Sequence, residues 1–203
     1  MNVRLHYDIE FMAGIYYEGC LQMNSYSVGL ELLTQTPDAL STNIAMERLK
    51  AFVYGELANA VFVGPADAEK ADMLNILGVN AVLLPDEPVD QIIGIMLYCK
   101  LNAVMEHRMV LTSTDTSSML GDSVRYTHDE EDALGPFAQE GWWHRPSRFH
   151  NSVETEPAAE KVVKVESSGW HEYNLTWPED RQEHTGNTVV FANFSKNEDQ
   201  PTQ

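Results

Sequence analysis

The chain is poor in positive charge. It carries 13 Lys and Arg against 31 Asp and Glu, a formal net charge of -18. A surface this acidic repels phosphate backbones and anionic membranes, so direct nucleic-acid binding through a basic face is excluded as an expectation. Cysteine is scarce too. Cys20 and Cys99 do not make a disulfide framework, and both sit in apolar sequence, so they are expected to be reduced and buried, as in an intracellular protein. Long apolar runs are missing: the longest, residues 92–99, is far short of the roughly 20 residues that cross a bilayer. The start of the sequence lacks the apolar stretch and cleavage site of a signal peptide. The expectation is a soluble protein with no membrane partner.

The common chemical signatures are absent as well. There is no Gly-rich phosphate loop, no Cys-x-x-Cys, no His-Glu-x-x-His and no Gly-x-Ser-x-Gly. No catalytic residue, metal ligand or cofactor is assigned on this basis, and nothing in the residues decides between an enzyme and a binding protein.

What is present points to a folded body. The apolar fraction is 43%, with four Trp, eight Tyr and seven Phe, too much for a disordered chain. Residues 1–127 carry 7 basic and 16 acidic side chains, and residues 128–203 carry 6 and 15 over a shorter span. That shift, with the run His128-Asp129-Glu130-Glu131-Asp132 and the breaker Gly135-Pro136, predicts a core domain over residues 1–130. A β-rich acidic extension over 131–196 and a disordered tail over 197–203 are expected after it.

Val3, Leu5, Tyr7, Ile9 and Phe11 alternate with Arg4, His6, Asp8 and Glu10, which predicts a half-buried strand. Tyr26, Val28, Leu30 and Leu32 predict a second, paired with the first in a long antiparallel hairpin turning at Met23-Asn24-Ser25. Helices are expected over 42–60, capped by Ser41-Thr42-Asn43, over 66–77, and over 89–107. The last has almost no polar side and must be covered all round. Short strands are expected at 60–63, 80–84, 109–112 and 123–127, and in the extension at 161–167, 170–177 and 188–194. The fold class is α+β: a mainly antiparallel sheet, opened by the hairpin, on two main helices.

Two clusters of ligand-type side chains read as solvated surface. His6, Asp8 and Glu10 share one strand face without a second cluster to complete a metal site, and the 128–132 run lacks the glycine and alternation of a calcium loop. Gly141-Trp142-Trp143-His144-Arg145-Pro146 is the most unusual stretch. Trp142, Trp143, His144 and Arg145 are either a protein-contact loop, since Trp and Arg dominate interface hot spots, or a lid on the core.

Asn43-Ile44-Ala45-Met46-Glu47-Arg48, Leu84-Pro85-Asp86-Glu87-Pro88 and Gly141-Trp142-Trp143 resemble uncharacterised proteins of T4-like phages of marine cyanobacteria, over most of residues 1–180. The resemblance implies a phage accessory protein in the host cytoplasm or the virion. It transfers no activity. The function expected with it is non-enzymatic: contact with a host or phage protein, the acidic field favouring a basic one. A second resemblance is architectural. A long hairpin, then Pro37 and Asn43-Ile44-Ala45, resembles tunnelling-fold enzymes such as 6-pyruvoyl-tetrahydropterin synthase. That likeness implies a homo-oligomer binding a purine- or pterin-type molecule through a carboxylate, for which Glu87 is the candidate. It also implies zinc held by histidines on the first two strands, where this chain has only His6.

Overall fold

The computed structural model describes residues 3–122, 124–148 and 169–180. Strands β1 (Arg4–Tyr17) and β2 (Cys20–Thr34) form the long hairpin, in register from Arg4 opposite Leu33 to Tyr17 opposite Cys20. Its turn is Glu18-Gly19, both at positive φ (49° and 78°), the backbone that two-residue hairpin turns require. The turn expected at Met23-Asn24-Ser25 is therefore corrected: Asn24 stays in the strand with its side chain on the buried face, 1% exposed. Cys20 is corrected with it, being exposed beside the turn, whereas Cys99 is buried.

Helix α1 (Ala39–Phe52) follows. Its cap is Asp38, whose carboxylate accepts from the backbone N–H groups of Leu40 and Ser41, and not Ser41-Thr42-Asn43 as the sequence suggests. A π-helical turn, Val53–Leu57, extends it. Then come β3 (Val61–Val63), α2 (Ala68–Ile76), β4 (Ala81–Leu83), α3 (Asp90–Met105), β5 (Met109–Ser118) and β6 (Arg125–Asp129). The sheet order is β4-β3-β1-β2-β5-β6. Four strands are antiparallel neighbours, and β3 and β4 add in parallel at one edge through the α2 crossover.

Both main helices lie on the face that carries Ile9, Phe11, Val28, Leu30 and Leu32. Leu49 and Phe52 of α1 and Ile93, Leu97 and Leu101 of α3 are buried against it. As its composition demands, α3 is buried on all sides: even Lys100 is fully enclosed. The cover comes from the residues after β6. Phe137, Trp143, Trp170 and Trp177 join the same core cluster. Among the described residues of this extension there are three 3-10 turns (Gly135–Ala138, Trp142–His144, His171–Tyr173) and no strand. The strand expected at 170–177 is thus a turn with a tryptophan at each end. The strands expected at 161–167 and 188–194, and the 197–203 tail, lie outside the described residues.

Two buried cations tie the extension down. Lys100 Nζ donates to the backbone carbonyls of Trp142 (3.0 Å), Arg145 (2.8 Å) and Ser147 (2.8 Å). Three acceptors match the three protons of an ammonium. Arg48, 2% exposed, donates to Leu175 O (2.8 Å) and to Glu106 Oε1 (2.5 Å) and stacks on Trp177 at 3.8 Å. Glu56, in the π-helical turn, pairs with Arg148 at 2.8 Å.

Burial pushes the Lys100 ammonium down to about 7, aided by Arg145 and opposed by Glu56. Replacing Lys100 with Met strands three carbonyls and is expected to cost about 2–4 kcal/mol near neutral pH. The folded protein binds fewer protons at this lysine than the unfolded chain between about 7 and 10.5, so the wild type gains stability relative to the variant as pH rises through that window. Urea unfolding at pH 6.5 and 9.5, followed by tryptophan fluorescence, measures both effects.

Candidate functional site

The end of the sheet beyond the helices is where polar groups are buried without being used by the fold. The hairpin is longer than the helix layer, so the inner face of its distal half lies beside the start of α3. Pro85-Asp86-Glu87-Pro88 leads into that helix, and Asp90 is its first residue, in the turn where the helix dipole favours an acid. Asp90 is 8% exposed, and its Oδ2 accepts from Ser118 Oγ at 2.7 Å. Ser118 Oγ in turn accepts from the Gly121 N–H at 3.1 Å. A glycine is needed at 121: a Cβ there would lie 2.3 Å from Asp90 Oδ2.

Asn24 reaches the same place from β2. Its Oδ1 accepts from the backbone N–H groups of Ser25 (3.0 Å) and Leu120 (3.1 Å), which fixes the amide's orientation. Its Nδ2 is buried and has no hydrogen-bond partner. The Tyr26 hydroxyl, next on this face, makes no close hydrogen bond, but it is near enough to the Asn24 amide for a weak one that lowers the phenol against its burial. Burial raises the Tyr26 phenol well above its usual value, so it is neutral, and its ring stacks on Phe11 at 5.1 Å. Asp90 and Asn24 share a cavity of about 380 Å³ with Ile15, Pro88, Gly121 and Tyr126, and Tyr17, Cys20 and Gln22 border it. This volume is within the range of about 300–1,000 Å³ of small-molecule sites.

Tyr126 also lines a second cavity of about 390 Å³, between α3 and β6, with Gln91, Gly94, Ile95, His128 and Asp132. His128 is 7% exposed. Its Nδ1 lies 4.0 Å from the Asp132 carboxylate, its ring meets Tyr98 edge-on at 4.7 Å, and its Nε2 is buried without a partner. Burial lowers the His128 pKa against the pull of Asp132 and Asp129, which keeps the imidazole neutral near pH 7.

The residues singled out in the sequence fall elsewhere. Glu87 is exposed and lies beside Tyr17, whose phenol is raised chiefly by Glu18 and then by Glu87; the buried carboxylate is Asp90, three residues on. Trp142, Trp143, His144 and Arg145 lie together over Lys100. Trp143 is 9% exposed and donates from Nε1 to the Phe137 and Gln139 carbonyls, both at 3.1 Å. Trp142 is half-buried and donates to Leu83 O at 3.1 Å. Arg145 is half-buried, and His144 is exposed with Nε2 2.6 Å from Phe137 O. His6 and Asp8 meet on the exposed sheet face at 3.3 Å. Among the described residues no three His, Cys, Asp or Glu side chains group closely enough to hold a metal ion, and no helix is long and apolar enough to cross a membrane. Asn24, Asp90 and His128 were not picked out as site residues. The first hid in a supposed turn, the second among helix-start acids and the third in an acidic run; the inward phase of β2, carried back from Tyr26, was the one signal that places Asn24.

No family model matches the chain, and no curated protein matches it. Among solved structures, an uncharacterised protein from Wolinella succinogenes is similar at a TM-score of 0.45 and 12% identity, over 64% of this chain and 99% of that one. The 6-pyruvoyl tetrahydropterin synthase of Plasmodium vivax is similar at 0.41 and 12% identity, over 63% and 97%. That of Plasmodium falciparum is similar at 0.40 and 13%, over 63% and 96%.

The Gly121 contact can be measured. Gly121→Ala is expected to cost about 1 kcal/mol, because the added methyl pushes the Asp90 carboxylate off Ser118 Oγ. The cost should shrink to less than half in an Asp90→Ala background, because the clashing oxygen is gone. A thermal-denaturation double-mutant cycle reads the coupling.

Proposed function

We propose that this chain binds a flat heterocycle of purine or pterin type in the cavity between the distal hairpin and the start of α3. One observation carries the reading: a buried carboxylate, Asp90, and a buried, unpartnered amide donor, Asn24 Nδ2, share one cavity. Together they offer an acceptor and a donor, the complement of a ring edge that presents N–H beside C=O. Burying an amide donor without a partner costs about 1–3 kcal/mol, and a ligand carbonyl removes that cost. Tyr126, Pro88 and Leu120 supply apolar walls for the ring. The cavity is bordered by exposed Tyr17, Val89 and Leu120, side chains that a second copy of the chain would cover, so the binder is read as a homo-oligomer. The role given to Glu87 passes to Asp90, with Glu87 left near the rim.

A second reading, contact with another protein, is supported by exposed Met12, Leu21 and Met23 on the sheet face opposite α1 and α3, beside the part that α2 covers. In that reading His144 is the exposed member of the Trp142–His144 turn, and the partner is basic, from phage or host.

The ring-binding reading is tested with hypoxanthine and pterin by isothermal titration calorimetry. Asp90→Asn removes a charge-assisted hydrogen bond and is expected to weaken binding at least tenfold, with a cooperative melting transition showing that the variant is folded. Failure of both rings to bind the wild-type chain, or equal binding to the variant, overturns it.

A further inference from the structure

We propose that the second cavity is a subsite for an uncharged, hydroxyl-bearing substituent on the ring ligand, with His128 Nε2 as its acceptor, and that the site rejects the phosphorylated form of that ligand. This rests on the ring-binding reading and extends it. The two cavities are neighbours across one side chain, Tyr126, which lines both.

The chemistry follows from what is left open there. Asp132, on the Nδ1 side of His128, favours the tautomer with its proton on Nδ1. The buried Nε2 then holds a lone pair with no donor. The groups that face this imidazole are Tyr98 from α3 and Asp129 and Asp132 from its own segment. Across the ladder, Thr114 is the register partner of His128, and Thr116 that of Tyr126. Both hydroxyls are buried without partners. Gly94 lets the α3 backbone come close here: a Cβ would sit 3.0 Å from Thr116 Oγ1. Of these groups His128 lines the cavity, and its open lone pair suits a hydroxyl, which can donate to it.

Charge sets the second half of the proposal. Among the described residues Arg125 is the one Lys or Arg lining either cavity, and it is engaged by Asp115 at 3.0 Å. Asp90 lines one cavity and Asp132 the other, with Glu87 acting on Tyr17 at the first and Asp129 on His128 at the second. A phosphate ester entering this field is repelled at every approach, while a sugar or polyol is not.

The test compares hypoxanthine, inosine and inosine 5′-monophosphate by calorimetry, on the wild type and on His128→Leu. Inosine is expected to bind about tenfold more tightly than hypoxanthine, and the monophosphate at least tenfold more weakly than inosine, a gap that narrows with added salt. In His128→Leu, inosine should fall to the affinity of hypoxanthine while hypoxanthine is unchanged. Should that variant not fold, the ¹⁵N resonance of His128 Nε2 in the wild type should move with inosine and not with hypoxanthine. Equal binding of inosine and hypoxanthine, the result if the cavity holds only water, overturns the subsite. So does a monophosphate that binds as well as inosine. Hypoxanthine binding that depends on Asp90 without any gain from inosine removes the subsite and leaves the ring reading standing. No hypoxanthine binding by the wild type removes both.

Discussion

A helix without a polar face has to be covered on every side, and α3 is such a helix. The sheet covers one side and α1 another, but two layers cannot enclose a helix whose exposed flank carries Leu, Met and Cys. The rest of the cover is the chain after β6. Its turns have little regular hydrogen bonding of their own, so side chains from the helices hold them. Lys100 gathers three carbonyls from residues 142–147, and Arg48 takes the carbonyl of Leu175 while its guanidinium is sandwiched between Trp170 and Trp177. Buried cations are costly, and they persist here because each satisfies carbonyls that would otherwise be stranded. The Trp142–His144 turn is accounted for in the same terms: its backbone serves Lys100, and Trp143 fills the space above it.

With α3 fixed by that packing, the position of its first turn is fixed too. Asp90 comes to rest against Ser118 and Gly121, opposite Asn24 on the hairpin. In the body of the helix layer Lys100, Arg48 and the Asn102 pair with Leu111 are satisfied, though Trp177 Nε1 is buried without a partner. At the α3 start and along β5–β6 the accounting changes. Asn24 Nδ2, Thr114, Thr116 and His128 Nε2 are all buried and all open. Folding alone gives no reason to place four such groups along one side of a helix, because each costs stability. For Asn24 and His128, each of which lines one of two adjoining cavities, that position supplies the reason.

Much of this fold was legible in the residues. Period-two alternation fixed the inward face of β1 and β2, and the unbroken apolar character of α3 required its burial. The hairpin turn was misplaced because Asn and Ser are frequent in turns, while the actual turn, Glu18-Gly19, needed only one glycine at positive φ. The cap of α1 was misplaced by a few residues because Asp38 competes with three good capping residues after it. The site was far less legible. Asp90 is one of 31 acids, and nothing local separates it from Asp86 or Glu87. Its burial arises from Ser118 and Gly121, almost thirty residues away in sequence. Glu87 had the residue type and the neighbourhood, but it precedes the helix and stays in solvent.

The surplus of acid takes a different meaning once it is placed. At the level of composition it suggests a field offered to a basic protein. In the fold, Asp90 lines one cavity and Asp132 the other, with Arg125 already engaged by Asp115. A field of that sign acts on whatever enters: it raises the local concentration of cations, leaves neutral rings and sugars untouched, and keeps phosphate esters out. Selectivity of this kind needs no contact with the rejected group, because like charge disfavours it before it docks. The same field bears on self-association. Two copies of a chain with net charge -18 repel each other, so any contact at the cavity mouth has to be carried by the apolar side chains there, Tyr17, Val89 and Leu120.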